Sequence, residues 1–170
     1  MADPEGERWA PAYIGLGSNL DGPLERVREA FDELAQLPRT LLVARSSLYR
    51  SDPLGDPDQP RYVNAAAGLL TQQDPMTLLH ELKSIEKRHG RRRTMKRWEP
   101  RTLDLDLLAY GCRKVDGPDL RLPHPEIAAR NFVLCPLAEI APFLTLKGQG
   151  TLASLAAVCD RGGLELIDGR

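Results

Sequence analysis

The chain has 170 residues, of which 42% are hydrophobic and 28% charged, and its formal net charge is −1 at pH 7. Such a composition is typical of one globular domain. The near-neutral net charge excludes a protein that coats nucleic acid with a surface that is basic all over. No apolar run approaches the ~20 residues of a membrane span, and the acidic start lacks the basic-then-apolar order of a signal peptide. We therefore predict a cytoplasmic protein with a flexible tail at residues 1–10 and a single domain at residues 11–170.

The cysteine pattern bears on the redox state of the chain. Cys112, Cys135 and Cys159 are odd in number, far apart and free of Cys-x-x-Cys spacing. This pattern argues against a disulfide framework or a zinc site and favours reduced thiols.

The first predicted elements are a strand at residues 12–16 and a helix that runs from Leu24 to Pro38. Apolar residues at helical spacing support the helix, and proline ends it. The connection, Gly15-Leu16-Gly17-Ser18-Asn19, matches neither a dinucleotide-binding loop nor a P-loop, so its glycines are predicted to form a sharp turn.

The next two strands are predicted at residues 41–49 and 62–71, paired antiparallel. The loop between them, residues 51–61, contains three prolines and one glycine, which prevent regular structure and limit the freedom of the chain. Such a loop suits the wall of a binding site, but an ordinary hairpin excursion explains it equally well.

The second predicted helix begins at Asp74-Pro75, where aspartate is a cap and proline suits the first turn, and it ends at Gly90. A basic stretch overlaps its end: residues 87–101 contain eight Lys or Arg and one acid, a net charge of +7. Arginine-rich loops are usually only solvated. Here, however, Trp98 and Pro100 add a rigid aromatic component that solubility does not require.

From Leu103 onward, leucine alternates with aspartate. Alternate side chains of a strand point to opposite faces, so Leu103, Leu105 and Leu107 are predicted to be buried while Asp104 and Asp106 share the other face. The two aspartate Cα atoms would lie roughly 6.5–7 Å apart, close enough for both carboxylates to bind hard cations, with paired Mg²⁺ ions as the natural occupants. Metal-binding carboxylates beside a guanidinium cluster predict a polyphosphate site.

Other interpretations fit parts of this pattern. An ordinary half-buried strand has the same alternation. A nucleic-acid-binding module could use the basic stretch with Trp98 and Tyr62 as stacking platforms, but two aspartates without metal would repel a phosphate backbone. A nucleotidyl- or phosphotransferase for another substrate shares every electrostatic argument and differs only in its acceptor pocket.

The remaining elements are smaller. A turn-rich excursion at residues 111–120 leads to Leu122-Pro123-His124-Pro125, in which a single histidine is more often a bystander than a functional group. Helices are predicted at residues 133–142 and after Thr151, and a strand at residues 164–167 is predicted to close the sheet. The order of elements predicts an α+β fold of the ferredoxin-like split βαβ kind, a mainly antiparallel sheet with helices packed on it.

Residues 97–106, Arg-Trp-Glu-Pro-Arg-Thr-Leu-Asp-Leu-Asp, strongly resemble the signature of the 6-hydroxymethyl-7,8-dihydropterin pyrophosphokinases of folate biosynthesis. Further motifs of that family follow the same order along the chain: Gly17-Ser18-Asn19-Leu20, Pro53-Leu54-Gly55, Tyr62-x-Asn64-Ala65-Ala66, Leu122-Pro123-His124-Pro125 and Arg130-x-Phe132. The resemblance covers about residues 13–142, and its motifs are very specific.

The resemblance implies a transferase that moves the β,γ-pyrophosphoryl group of ATP to the hydroxymethyl group of the reduced pterin and releases AMP. It implies two Mg²⁺ ions, with ATP as co-substrate. Because both substrates are small molecules, no nucleic-acid or membrane partner is expected, and we expect a monomer.

The resemblance also implies roles for individual residues. The catalytic residues would be Arg91, Arg93, Arg101, Asp104 and Asp106, of which Asp104 and Asp106 would bind metal. The pterin would be bound by Ser51, Pro53, Leu54, Tyr62, Asn64, Trp98 and Phe132. The ATP side would be formed by Glu86, Arg91, Arg93, Arg97, Trp98, Arg101, Leu107, Arg121, His124 and Arg130.

Overall fold

The computed structural model describes residues 8–90 and 100–168. The strands are β1 (Ala10–Ser18), β2 (Thr40–Arg45), β3 (Leu48–Ser51), β4 (Tyr62–Thr71), β5 (Asp104–Tyr110), β6 (Val115–Asp116), β7 (Arg121–Leu122), β8 (Thr145–Leu146), β9 (Gly150–Thr151) and β10 (Leu164–Asp168). The helices are α1 (Pro23–Ala35), α2 (Pro75–Arg88), α3 (Asn131–Ile140) and α4 (Leu152–Val158).

Within the described ranges, six strands form the main sheet. Strands β10, β3, β4, β1 and β5 lie side by side in that order, and β2 also pairs with β4. Their pairings are antiparallel. The crossover through α1 joins β1 to β2 with β4 between them, and the crossover through α2 joins β4 to β5 with β1 between them. This arrangement confirms the predicted ferredoxin-like α+β fold. The strand predicted to close the sheet is β10, and it pairs with β3.

Helices α1 and α2 pack on one face of this sheet. Their residues in the main core recur at helical spacing: Val27, Ala30, Phe31 and Leu34 of α1, and Leu78, Leu82 and Ile85 of α2. Asp74 caps α2, because its carboxylate accepts hydrogen bonds from the amides of Met76 at 3.0 Å and Thr77 at 3.1 Å. The Thr77 hydroxyl and these amides hold the pKa of Asp74 below its usual range. The predicted cap is thus confirmed.

Helices α3 and α4 pack on the opposite face and form a second core. Leu134 and Leu137 of α3 and Leu152 of α4 pack with Ala66 and Leu108 of the sheet. Thr151 caps α4 by accepting a hydrogen bond from the Ser154 amide at 3.2 Å, as predicted. Among the described helices, none is long and apolar enough to cross a membrane.

Two predicted strands have different bounds in the structure. β1 continues to Ser18, so Gly15 and Gly17 lie in a strand and not in the predicted turn; the backbone reverses instead at Asp21 and Gly22, which both have positive φ. The strand predicted at residues 41–49 is two strands, β2 and β3. The break at residues 46 and 47 is stabilised by polar contacts that hydrophobic alternation does not reveal.

Those contacts attach the break to its neighbours. The Ser46 Oγ accepts a hydrogen bond from the Ala66 amide at 2.8 Å. This side-chain oxygen replaces the backbone carbonyl that a continuous neighbouring strand would offer to that amide. The Ser47 amide donates to Glu139 of α3 at 2.9 Å, and Tyr49 donates its hydroxyl proton to the other oxygen of the same carboxylate. Glu139 therefore joins α3 to the sheet at this break.

Candidate active site

The acidic strand β5 has one buried face and one polar face. Leu103 and Leu105 are fully buried and Leu107 is nearly so, whereas Asp104 and Asp106 are partly exposed. This burial confirms the predicted alternation. Both aspartates line a cavity of about 640 Å³ on the face of the sheet that also carries α3.

The neighbouring strand supplies the floor of that cavity. In the sheet register, Asp104 is opposite Gly17 and Asp106 is opposite Gly15, while Gly17 is in turn opposite Asn64 of β4. Asp104 and Asn64 are therefore two strand spacings apart, about 9.6 Å, with only a glycine between them. A Cβ on Gly17 would lie 3.4 Å from Asn64 Oδ1, so the absence of a side chain keeps this floor open.

The end of the cavity opposite the aspartates is formed by β3, β4 and α3. Asn64 is buried, and its Nδ2 donates a hydrogen bond to Ser51 Oγ at 2.8 Å, which fixes the orientation of the amide. Tyr62, Leu54 and Phe132 line the same cavity, and Leu54 and Phe132 also line a neighbouring cavity together with Ser51. Two aromatic rings with an oriented amide suit a flat, polar-edged heterocycle.

Arg101 lies at the acidic end. Its Nη1 donates to Asp104 Oδ2 at 2.5 Å. Burial by itself would lower the pKa of the guanidinium, but Asp104, with further contributions from Tyr62 and Asp106, raises it. Arg101 is therefore a permanent cation beside the two carboxylates.

Ser18, the last residue of β1, and Asn19 after it hold the segments that precede β5 and β4. Asn19 is buried and makes two hydrogen bonds with the backbone of Arg101. Its side-chain Oδ1 accepts from the Arg101 backbone amide at 2.7 Å, and its backbone amide donates to the Arg101 carbonyl at 3.0 Å. Its Nδ2 donates to the Pro60 carbonyl at 3.1 Å. The Ser18 hydroxyl donates to the Thr102 carbonyl at 2.6 Å. One short segment thus holds both the approach to β5 and the end of the loop before β4.

Residues 13–142 match the family model of 7,8-dihydro-6-hydroxymethylpterin-pyrophosphokinase (HPPK). The chain belongs to this family. It is also similar to 2-amino-4-hydroxy-6-hydroxymethyldihydropteridine pyrophosphokinases, with 49% identity over 157 residues to that of Pseudomonas aeruginosa (92% of this chain, 96% of the relative). The Haemophilus influenzae enzyme is 46% identical over 144 residues (85% and 89%). As a member of the HPPK family, the chain is a pyrophosphokinase of the transferase class.

Solved structures support the fold of this HPPK-family chain. The wild-type HPPK-DHPS of Plasmodium falciparum with STZ-DHP superposes with a TM-score of 0.65 at 13% identity. That match covers 90% of this chain and 42% of the solved chain, so this chain spans less than half the length of that protein. At such low identity the likeness concerns the fold alone.

Ten of the residues that the resemblance singles out meet in this one cavity. They are Ser51, Leu54, Tyr62, Asn64, Arg101, Asp104, Asp106, His124, Arg130 and Phe132. They come from three strands, one helix and the loops between them, which explains why no short sequence window contains them. Arg91, Arg93, Arg97 and Trp98 lie outside the described residues.

Four other predicted residues do not line this cavity. Pro53 lines a neighbouring cavity. Glu86 is buried in α2, where it accepts a hydrogen bond from the Leu105 amide at 2.8 Å and pairs with Lys83 at 3.2 Å. Arg121 is exposed in β7 and pairs with Asp116 at 3.3 Å. The HPPK-family assignment of ATP contacts to Glu86 and Arg121 therefore has no support from side-chain position.

Leu107 is the fourth of these residues, and its buried place follows from the alternation of β5; a bulge comes directly after it. Its side chain lies in the core with α1 and α2, while the next residue, Leu108, lines the cavity. The register between β1 and β5 shifts between Tyr13 and Ile14, so Leu108 is passed over in the pairing. Strict alternation therefore fails after Leu108, because Tyr110 lies in the core and not in the cavity, and no sequence signal marks the bulge.

The structure adds residues that sequence reasoning missed. Besides the two glycines of β1, Glu126 lines the cavity, where its carboxylate pairs with Arg130 at 3.4 Å. The Glu126 amide donates to His124 Nδ1 at 3.2 Å. The spacing of four residues between Glu126 and Arg130 could have predicted this ion pair. The two glycines could not be recognised, because glycine in this sequence context is also typical of a turn.

Proposed function

We propose that this protein transfers the β,γ-pyrophosphoryl group of ATP to 6-hydroxymethyl-7,8-dihydropterin, giving AMP and the pterin diphosphate, as a step of folate biosynthesis. The observation that carries this proposal is that one cavity has an acidic end suited to metal and phosphate and a second end with a buried amide suited to a heterocycle. Asp104 and Asp106 lie at one end, Asn64 at the other, and glycine separates them. We also propose that residues 11–170 act as one domain, since β10 completes the same sheet.

The two aspartates are the residues that would hold Mg²⁺. Carboxylate oxygens are its preferred protein ligands, and both side chains reach the cavity. Among residues 8–90 and 100–168, no group of three or more His, Cys, Asp or Glu could hold a metal ion. The donor set fits Mg²⁺ nonetheless, because this ion commonly binds through one or two carboxylates, with water and substrate phosphates as the other ligands. When bound, two such ions would neutralise negative charge on the phosphate oxygens.

The acceptor would occupy the opposite end. Tyr62 and Phe132 would stack against the flat pterin, and the Asn64 amide would exchange hydrogen bonds with its polar edge. The Ser51 contact holds that amide in one orientation before the substrate arrives, so less rotamer entropy is lost on binding. Backbone groups of residues 51, 53 and 54 would contact the remaining edge.

Cationic side chains would hold the triphosphate near the aspartates. Arg101 is paired with Asp104 and carries a permanent charge, and Arg130 and His124 line the cavity nearby. In the proposed reaction, the pterin hydroxyl oxygen bonds to the β-phosphorus as the bond between the α,β-bridging oxygen and that phosphorus breaks, and the hydroxyl proton is released to water. Arg101 can stabilise the charge that develops there. We assign Arg91 and Arg93 to the same task from the family resemblance.

Product analysis tests this function. The protein is incubated with ATP, Mg²⁺ and the hydroxymethyl dihydropterin, and nucleotide products are separated by chromatography. AMP and pterin diphosphate in equal amounts are expected. ADP in place of AMP would mean transfer of a single phosphoryl group, and absence of pterin-dependent turnover would refute the proposed acceptor.

A further inference from the structure

Two cysteines that are distant in sequence lie side by side in the structure. The Sγ atoms of Cys135 in α3 and Cys159 at the end of α4 are 3.6 Å apart, although 24 residues separate them. Cys135 is buried, Cys159 is partly exposed, and the third cysteine, Cys112, is exposed elsewhere. Neither member of the pair has a part in the proposed chemistry.

The surroundings distinguish the two thiols. Burial, with a contribution from the hydrogen bond to Cys159, raises the pKa of the Cys135 thiol to about 11. Cys135 therefore stays protonated at neutral pH, and Cys159 is the more exposed residue of the pair, so we expect small oxidants to react there first. The end of α3 that follows Cys135 is attached to the sheet, because Glu139 binds the Ser47 amide and the Tyr49 hydroxyl.

The pair also lies next to the acceptor end of the cavity. Phe132 precedes Cys135 by one helical turn, and Phe132 and Cys159 both line the neighbouring cavity of about 510 Å³ together with Ser51 and Leu54. The chain after Cys159 contacts both walls. Asn131 Nδ2 donates to the carbonyls of Asp160 at 3.0 Å and Gly162 at 3.2 Å.

The opposite wall is held by the same segment. The Asp52 amide donates to the Gly163 carbonyl at 3.2 Å, and the Arg61 Nη2 donates to that carbonyl as well, also at 3.2 Å. Residues 159–163 therefore bridge the start of α3 and the loop that carries the predicted pterin contacts. We therefore expect a displacement of Cys159 to act on both.

We propose that Cys135 and Cys159 are a reversible redox pair, which hydrogen peroxide converts into an intramolecular disulfide that reshapes the acceptor end of the cavity. Peroxide oxidises the Cys159 thiol to a sulfenic acid and is reduced to water. The Cys135 sulfur then attacks the Cys159 sulfur, the S–S bond forms as the S–O bond breaks, and the leaving hydroxide departs as water with the Cys135 proton. A small dithiol reverses the bond by exchange.

The bond has a geometric consequence. Disulfide sulfurs lie about 2.05 Å apart, so the two sulfurs must approach by about 1.5 Å. Because Glu139 attaches α3 to the sheet beyond Cys135, the adjustment falls on the start of α3, where Phe132 lies, and on residues 159–163. Pterin affinity should therefore fall in the oxidised protein, and nucleotide affinity should change less, because Arg130 is the only predicted nucleotide contact at the start of α3.

The chemical part of the proposal is tested without substrates. A Cys112→Ser variant, which retains only the pair, is treated with peroxide, alkylated under denaturing conditions and digested with trypsin. Linked peptides 131–147 and 148–161 are expected, and they should separate after dithiothreitol. In the matched Cys112→Ser/Cys135→Ser variant, Cys159 should instead proceed to sulfinic acid. Recovery of both thiols, or sulfinic acid at Cys159 without the cross-link, would overturn the proposal.

The coupling to the cavity rests on the proposed function and is measured separately. Pterin and an ATP analogue are titrated into the reduced and cross-linked Cys112→Ser protein. A several-fold rise in the pterin Kd, reversed by dithiothreitol, is expected, with a smaller change in the nucleotide Kd. Equal pterin affinity in the two forms would refute the coupling. Failure of the reduced protein to bind pterin would refute the proposed acceptor instead, and the cross-linking result would be unaffected.

Discussion

The two faces of strands β1, β4 and β5 differ in the size and polarity of their side chains. Toward α1 and α2 these strands present large apolar residues such as Ile14, Leu69 and Leu105, all at most 1% exposed. Toward the cavity, the same central strands present glycine, asparagine and aspartate. The packed face supplies the stability that lets the other face remain open.

This contrast shows how a single strand can serve both purposes. A residue and its neighbour are only about 3.3 Å apart along β5, yet one is in the core and the next is in the cavity. Substitutions at adjacent positions should therefore separate stability from activity.

The largest effect is expected at the acidic positions. Asp104→Asn or Asp106→Asn keeps the shape of the side chain and removes the charge that would hold Mg²⁺. We expect kcat/KM to fall roughly a thousandfold or more, because metal-supplied charge stabilisation is worth several kcal/mol. Steady-state kinetics at saturating Mg²⁺ measures this loss, and thermal unfolding should show a folded protein. Normal turnover in both variants would contradict the two-metal proposal.

Leu105→Ala tests the opposite, buried face of the strand, because Leu105 lies between the two aspartates in sequence. Leu105 is fully buried, so its truncation should cost about 2–5 kcal/mol of unfolding free energy through lost burial and a residual cavity. Urea denaturation measures this cost. Activity per folded molecule should be retained, and a loss greater than the unfolded fraction would mean that the two faces are not independent.

Asn64→Ala tests the acceptor end. Removal of the amide leaves polar pterin atoms unpaired, which should weaken pterin binding by about 1–3 kcal/mol, or roughly 5- to 150-fold. Separate titrations of pterin and of an ATP analogue measure the effect, and ATP affinity should hardly change. Ser51→Ala is the matched control: it removes only the contact that orients the amide, so its loss should be smaller. An equal loss for both ligands would place the acceptor elsewhere.

Gly17 offers a steric test of the cavity floor. The branched side chain of Gly17→Val would enter the space beside Asn64 and Tyr62, so pterin affinity should fall about tenfold, or ~1.4 kcal/mol. Valine suits a strand, so stability should be maintained. Gly17→Ala should have a much smaller effect, because its Cβ makes an ordinary contact at 3.4 Å. Unchanged pterin binding in the valine variant, measured by titration, would exclude Gly17 from the site.

The smallest effect is expected far from the cavity, at Asp74. Asp74→Ala removes the cap of α2 and should cost about 1 kcal/mol of stability without a change in kcat. Because hydrogen bonds lower the pKa of Asp74 in the folded protein, its contribution is present above about pH 4 and is lost as the pH falls through the folded pKa. Urea denaturation of both proteins across this acidic range should show the difference in stability shrink as the pH falls. A difference that stays constant down to the lowest pH would contradict the assignment of the cap to the ionised carboxylate.

Much of the fold follows from local patterns in the sequence. The alternation after Leu103, the Asp74-Pro75 cap and the spacing of apolar residues in α1 depend on contacts within a few residues, and the structure agrees with each. The break at Ser46 and the passed-over Leu108 depend on partners in other elements. No local pattern contains that information.

The candidate site divides in a similar way. The alternation of leucine and aspartate predicts that Asp104 and Asp106 share a polar face, because both lie on one strand. Asn64 and Phe132 come only from resemblance, since a cavity assembled from several elements leaves no periodic trace. Gly17 was misinterpreted because a glycine required for close approach has the same appearance in sequence as one required for a turn.

The three contacts of Asn19 have a consequence for the energetics of binding. They tie the Arg101 backbone to the Pro60 carbonyl, two points that are far apart along the chain. The entropy of closing that loop is therefore lost once, during folding, and not again in each catalytic cycle. The separation between the two proposed substrate subsites is in this sense fixed before any ligand binds, and a ligand designed to occupy both proposed subsites would need a linker that matches this fixed distance.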